Sequence, residues 1–351
     1  MSAQQHAPPS ATSASQLLTL VITTSPTPSA PSTDLVSDVL DSFKLHCPIL
    51  LSCKIVVVLD TYDRVGECNR LKKGQVTAEG AQVVEQYKRN VKALIIDEYH
   101  VVGDESVFSP VSSPDAEFGS PHAAENQIAL SVSRTEDKRV TFVEPAARLG
   151  FGLAVRSALR IVDTPYVWIQ QHDWPLVRDI PLCPLLEVMQ QAEEEEEVPV
   201  KYVCLPAIRM LSYAVSAHVI RFSTLRDLTA KLKREFFPKS QPGVGVPLTP
   251  LFFWHDKPHI ASTAHYLARV FPTRLAIARG DFIEDSIGQR ARTQMKEGNW
   301  KKWACWLYYP ADGKEVCLRH RHGRKWRGME AELGEKAQFS QMRMGQGELV
   351  S

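Results

Sequence analysis

The sequence predicts an α/β fold built on a mostly parallel central sheet flanked by helices. Three observations predict it. Strand-like apolar runs alternate with helix-like stretches from Leu17 to Gln170, the order expected when crossover helices join parallel strands. The runs Leu17–Thr24 and Lys54–Asp60 are apolar almost throughout, as strands are when both faces are covered. The chain has 351 residues, 44% of them hydrophobic and 23% charged, enough to bury a real core.

The elements follow in order. Residues 1–15 are rich in Ser, Ala, Gln and Pro and read as a disordered leader. The first strand, Leu17–Thr24, ends in the turn-rich loop Ser25–Pro31. Asp34–Cys47 has a helical apolar face, and Lys54–Asp60 is the second strand. Gly74–Leu94 reads as a helix. The polar, proline-interrupted stretch 97–137 reads as an insertion or mobile loop. Arg139–Glu144 is a third strand, Leu149–Val162 a helix, and Tyr166–Gln170 a fourth strand. Beyond it, Leu185–Gln191 reads as a helix, Lys201–Leu205 as a strand, and Phe222–Phe237 and Ala261–Val270 as helices. Leu275–Arg279 reads as a strand or turn. Residues 16–180 and 181–326 form two halves of one domain, and 327–351 a weakly ordered tail.

Charge narrows the function. Lys and Arg number 41 against 40 Asp and Glu, a net +1, so no global field exists to hold nucleic acid. No apolar run approaches the ~20 residues that span a bilayer. Met1–Ser15 carries no Lys or Arg and makes a poor signal peptide. Seven cysteines, an odd number with no C-x-x-C pair, read as reduced thiols of a cytoplasmic protein. There is no G-x-S-x-G elbow, no G-x-G-x-x-G after the first strand, no H-E-x-x-H and no kinase motif set.

Ligands of open α/β sheets bind at the carboxyl ends of the strands. The polar residues there are Ser25, Thr27, Asp60, Asp63 and Asp173. Further along lie Asp281-Phe-Ile-Glu-Asp285 and the basic run Leu318-Arg-His-Arg-His-Gly-Arg324. Adjacent acids such as Glu284 and Asp285 also serve as helix N-terminal charges. Asp60 also suits a turn cap. The basic run suits an exposed loop, and Trp254-His-Asp-Lys-Pro-His259 a core segment or loop.

The ordered set of strand one with its Ser/Thr/Pro loop, Asp60-Thr-Tyr-Asp63, Arg148–Arg156, Gln171-His-Asp173 and Glu284-Asp285 resembles the GT-A glycosyltransferases, most closely the family 2-like group. The resemblance covers about residues 16–325 and implies a Rossmann-like sheet and a nucleoside diphosphate-sugar donor, UDP- or GDP-linked. It implies an inverting, metal-assisted transfer to a carbohydrate or other hydroxyl acceptor. Thr23, Ser25, Asp60, Asp63 and Arg156 would then bind the nucleotide. Asp173, with His320 and His322, would hold Mn²⁺ or Mg²⁺, and Asp285 would be the base beside Glu284. Trp174, Trp254 and Asp281 would meet the acceptor. The sequence departs from the family's D-x-D at Gln171, an amide where a carboxylate is expected. That departure leaves open a catalytically silent module of the same fold that binds nucleotide or glycan. A sugar-nucleotide cytidylyl- or uridylyltransferase ranks last, because its Gly-rich first loop is missing between Thr23 and Thr33.

Overall fold

The computed structural model of the chain describes residues 11–102, 107–193 and 195–334. Its centre is one sheet of eleven strands. In chain order these are β1 (Leu18–Thr24), β2 (Lys54–Leu59), β3 (Phe108–Pro110), β4 (Leu130–Thr135), β5 (Val140–Pro145) and β6 (Tyr166–Gln171). Then come β7 (Tyr202–Cys204), β8 (Arg234–Phe236), β9 (Val246–Pro250), β10 (His259–Ser262) and β11 (Cys305–Tyr308). They lie side by side as β8-β9-β11-β7-β10-β6-β1-β2-β5-β4-β3. Traced outward from β1, only β4, β9 and β10 run against it, so eight of the eleven strands share one direction.

The central block β6-β1-β2-β5 is wholly parallel, so the carboxyl ends of these four strands open on one edge. Every residue of β1 is buried, as its unbroken apolar run predicts. Helices flank the sheet. A short helix, α1 (Ala11–Leu17), leads into β1. α2 (Asp34–His46) buries Leu35, Val36, Val39, Leu40 and Phe43, one stripe at helical spacing. α3 (Ala78–Glu98) is capped by Thr77, whose hydroxyl accepts the Gly80 N–H at 3.0 Å. α4 (Phe151–Leu159) packs across β1 and β2 and is buried along its whole length.

The structure corrects several expectations. Helix α1 begins inside the stretch read as a leader, because Ala14 packs into the core, fully buried; residues 1–10 lie outside the described residues. The 97–137 stretch supplies the edge strand β3 and its neighbour β4. Leu130-Ser-Val-Ser-Arg-Thr135 buries Val132 and Thr135 without a regular alternation, and pairing with β5 makes it a strand. Phe222–Phe237 is not one helix: Ser223–Leu232 is helical, and the chain then extends as β8. Ala261–Val270 begins as strand, with helix only over Thr263–Arg269. In the tail, 329–334 is helical, and 335–351 lies outside the described residues. All seven cysteines are free thiols; Cys68 is exposed, Cys183 half-buried and the other five buried.

Candidate active site

Two adjoining cavities lie at the carboxyl edge of the central strands. The first, about 390 Å³, is walled by the loop after β1 (Thr23–Pro28), the loop after β2 (Asp60–Tyr62) and the turn into α4. The second, about 430 Å³, lies on the β10 side and includes Trp174, Asp256, Lys257, Glu284, Asp285, His320 and His322. Gln171, Asp173, Phe282, Arg324 and Lys325 line both and form the seam. Both volumes suit a small ligand.

The first cavity is built around Asp60. Its Oδ1 accepts the N–H groups of Leu149 at 2.7 Å and Thr61 at 2.9 Å, and its Oδ2 accepts that of Gly150 at 3.0 Å. Burial pushes the carboxyl up, against these three hydrogen bonds. Asp60 therefore fixes the turn that starts α4 as well as facing the cavity. Gly150 has φ +78°, and a Cβ there would come within 2.4 Å of the Gly280 Cα. Only glycine permits that backbone-to-backbone approach.

Thr23 and Ser25 line this cavity as expected. The Thr23 hydroxyl donates to the Gln170 carbonyl at 3.4 Å, and the Ser25 N–H donates to His172 Nδ1 at 3.2 Å. An N–H donor forces Nδ1 to be the acceptor, so the His172 ring is neutral there, in line with a pKa lowered by burial. His172 thus pins the loop after β1 to the loop after β6. The walls hold four cationic side chains, Lys72, Arg148, Arg324 and Lys325, against the carboxylates of Asp60 and Asp173.

Asp173 sits on the seam and is only 8% exposed. Its Oδ2 accepts His320 Nε2 at 3.1 Å and the Gly323 N–H at 3.0 Å. Its Oδ1 is buried with no hydrogen-bond partner. Burial opposes the charged form, but the His320 hydrogen bond and neighbouring donors outweigh it and hold the carboxyl below its ordinary value. Gln171 Nε2 donates to the Asp256 carbonyl at 2.8 Å.

In the second cavity Glu284 Oε2 lies 3.3 Å from His255 Nδ1, 3.4 Å from the Asp256 N–H and 3.8 Å from Lys257 Nζ. The His255 hydrogen bond, then the Lys257 charge, pull its carboxyl down to about 2 against the effect of burial. Asp256, 3% exposed, accepts the Glu284 N–H through Oδ2 at 3.3 Å, while its Oδ1 has no partner. Burial and then the Glu284 charge push the Asp256 carboxyl well above the ordinary range. Asp285 lines the same cavity from an exposed position at the start of a π-helical turn, Glu284–Gly288.

The other expected residues divide. Trp174 lines the second cavity but stacks on His320, with ring centroids 4.3 Å apart and planes at 9°, so one face is already covered. His322 packs on His320 at 4.3 Å. Among the described residues no three His, Cys, Asp or Glu side chains converge as a metal cage. Four of the expected residues line neither cavity. Arg156 donates to the Glu117 carbonyl at 2.7 Å, because its face of α4 packs on the 116–118 segment. Trp254 is fully buried among Tyr202, Tyr266 and Trp303. Asp63 pairs with Arg279 and lines neither cavity. Asp281 is exposed and also lines neither; its carbonyl accepts the Gly152 N–H at 3.1 Å.

Sequence reasoning missed Lys72 and the roles of Arg148 and Asp256. Arg148 and Asp256 stood inside noticed segments, but Lys72 carried no signal in its polar surroundings.

No protein-family model matches the chain, and no curated protein matches it. Solved structures similar to it include the following two. One is the mannosyltransferase PcManGT from Pyrobaculum calidifontis in complex with GDP-Man and Mn2+, 12% identical, with a TM-score of 0.35 over 88% of this chain. The other is S. aureus TarS, 10% identical, with a TM-score of 0.36 over 86% of this chain. The chain spans 59% of the first protein's length and 36% of the second's. No helix among the described residues is long and apolar enough to cross a membrane.

Proposed function

We propose that the protein transfers a sugar from a nucleoside diphosphate-sugar to a hydroxyl acceptor, with inversion. The observation that carries this reading is the seam. A cation-lined cavity at the strand ends meets a carboxylate-lined cavity, and Asp173 stands between them with one buried oxygen free. A nucleoside diphosphate fits the first cavity, its phosphates facing Arg148, Arg324 and Lys325. The sugar then reaches the seam, and the acceptor hydroxyl enters from the second cavity.

In the transfer the acceptor oxygen forms a bond to the anomeric carbon. The bond from that carbon to the diphosphate oxygen breaks, and its electron pair leaves on the diphosphate. Asp285 takes the hydroxyl proton. Arg148, Arg324 and Lys325 stabilise the charge that develops on the leaving group. Glu284, held ionised by His255 and Lys257, positions the acceptor side. Asp173, through the unpartnered Oδ1, would hold a Mn²⁺ or Mg²⁺ ion. Such an ion would supply further charge neutralisation.

A thermal-stability screen of UDP, GDP and their sugar conjugates, with and without Mn²⁺, tests the reading, since a ligand of the native state raises its stability. Stabilisation by one nucleotide and turnover of its sugar conjugate are expected. No stabilisation by any nucleotide would overturn the proposal. The anchoring of Gln171 to the Asp256 carbonyl favours a second reading, a binding module without catalysis. Binding without turnover would select it.

A further inference from the structure

A third cavity, about 830 Å³, opens beside the first, between the loop after β1, the turn Arg70–Gln75 and the first two turns of α3. The cationic run Arg70-Leu-Lys-Lys73 lines it, and Arg324 joins that run. Glu79 is the one carboxylate among the described residues of its wall, so four positive charges face one negative charge. No step of the proposed transfer uses Arg70, Lys73 or Glu79. Among the described residues no ion pair engages Arg70, Lys72, Lys73 or Arg324. The turn that carries the run is firmly built. Arg70 and Gln75 exchange backbone hydrogen bonds at 2.8 and 3.2 Å, and Gly74 closes the turn at φ +65°. Asn69 Oδ1 accepts the Thr77 N–H at 2.8 Å and fastens the turn to α3. Pro28, Val76, Val83 and Val84 give the same cavity an apolar wall.

Unpaired cations gathered on one concave wall concentrate anions there, because each adds to a positive potential that solvent screens only in part. We propose that this groove is a second ligand site, separate from the donor cavity, for a small phosphate ester. The phosphate meets Arg70, Lys72 and Lys73, and the organic part lies against the valines. The cavity has the size of small-molecule sites. A guanidinium and two ammonium groups suit phosphate oxygens, which accept several charge-assisted hydrogen bonds at once. Lys72 and Arg324 line both this groove and the first cavity. An anion in the groove therefore draws on cations that a donor diphosphate also needs, and repels it, so each ligand weakens the other's binding. That coupling rests on the proposed function; the groove site itself does not.

The test is calorimetric titration of the full chain, at low salt, with phenyl phosphate and with inorganic phosphate, which share the anion and differ in the organic part. Phenyl phosphate is expected to bind, and more tightly than inorganic phosphate. The double variant Arg70→Ala/Lys73→Ala changes two exposed positions that line the groove but not the first cavity. It should weaken phenyl phosphate binding by about tenfold or more. Glu79→Gln removes the opposing charge and should tighten it. Lys302→Ala, exposed and outside the groove, should leave it unchanged. Absence of phenyl phosphate binding overturns the proposal, and so does binding indifferent to the folded double variant. Equal affinity for the two phosphates overturns the ester assignment. If the double variant does not fold, a Glu79→Gln chain that binds like wild type overturns the site. UDP or GDP titrated with and without phenyl phosphate reads the coupling: weaker nucleotide binding beside the ester is expected, and equal binding overturns the coupling. Nucleotide binding together with phenyl phosphate binding indifferent to Arg70 and Lys73 defeats the groove alone. Phenyl phosphate binding that depends on Arg70 and Lys73, with no nucleotide bound, defeats the proposed function alone.

Discussion

Asp60 grips Gly150: the carboxylate Oδ2 accepts the glycine N–H at 3.0 Å, across 90 residues of chain. The contact closes the end of β2 onto the start of α4 and sets the back wall of the first cavity.

Asp60→Asn therefore tests a structural and a binding role together. The amide turns an N–H₂ toward one of the three backbone donors now satisfied. A buried donor left without a partner costs about 1–3 kcal/mol. The urea midpoint should fall by an amount matching that loss, and nucleotide affinity should fall with it. A midpoint equal to wild type would show that the turn does not depend on this carboxylate.

Arg324 lines both cavities and lies over the Phe282 ring, 4.9 Å from its centroid. Arg324→Ala should weaken UDP or GDP binding roughly 10- to 100-fold, the scale of a lost charge-assisted hydrogen bond. Calorimetric titration reads this directly. Undiminished affinity would move the diphosphate away from this part of the seam.

Asp285→Asn keeps the shape of the side chain and removes proton acceptance. Donor binding should survive while kcat drops about 10²–10⁴-fold, the usual range for a general base. Glu284→Gln should cost less. Near-full transfer by Asp285→Asn together with loss in Glu284→Gln would exchange the two roles.

His259 predicts how stability responds to acid. It is fully buried against Tyr202, and Nδ1 meets the Lys257 carbonyl at 2.7 Å. Burial lowers its pKa from 6.5 to about 3. Unfolded, the ring takes a proton near 6.5; folded, it stays neutral until about 3. Between those values the unfolded chain binds more protons, so stability falls as the pH falls from 6.5 toward 3. His259→Phe should flatten that dependence in denaturation curves recorded at pH 7 and pH 4.5. An equally steep loss in the variant would assign the acid sensitivity to other groups, His265 among them.

The central strands were legible because both their faces are covered, which leaves an apolar run with little ambiguity. On the β10 side β7 was legible, as Lys201–Leu205, while β8, β9, β10 and β11 were not. β8 and β10 are three and four residues long, and β10 carries His259 and Ser262 within a pattern that also fits a helix. Pairing across the sheet, rather than local preference, makes them strands. The site shows the same division. Thr23, Ser25, Asp173, Glu284 and Asp285 are legible as polar groups just beyond apolar segments. Asp256 becomes significant only when folding lays it against Gln171, 85 residues away in sequence. Arg156 shares a segment with Arg148, but the helix turns its side chain to Glu117.

The segment carrying His320, Arg321 and Arg324 has a consequence for the order in which the protein is made. His320 reaches back 147 residues to Asp173, and Arg321 reaches back 283 residues to Asp38. In the order of synthesis all eleven strands, the last ending at Tyr308, precede these three residues. The strand pairings of the sheet therefore draw on nothing made after Tyr308, whereas the wall of the second cavity waits for His320, His322, Arg324 and Lys325.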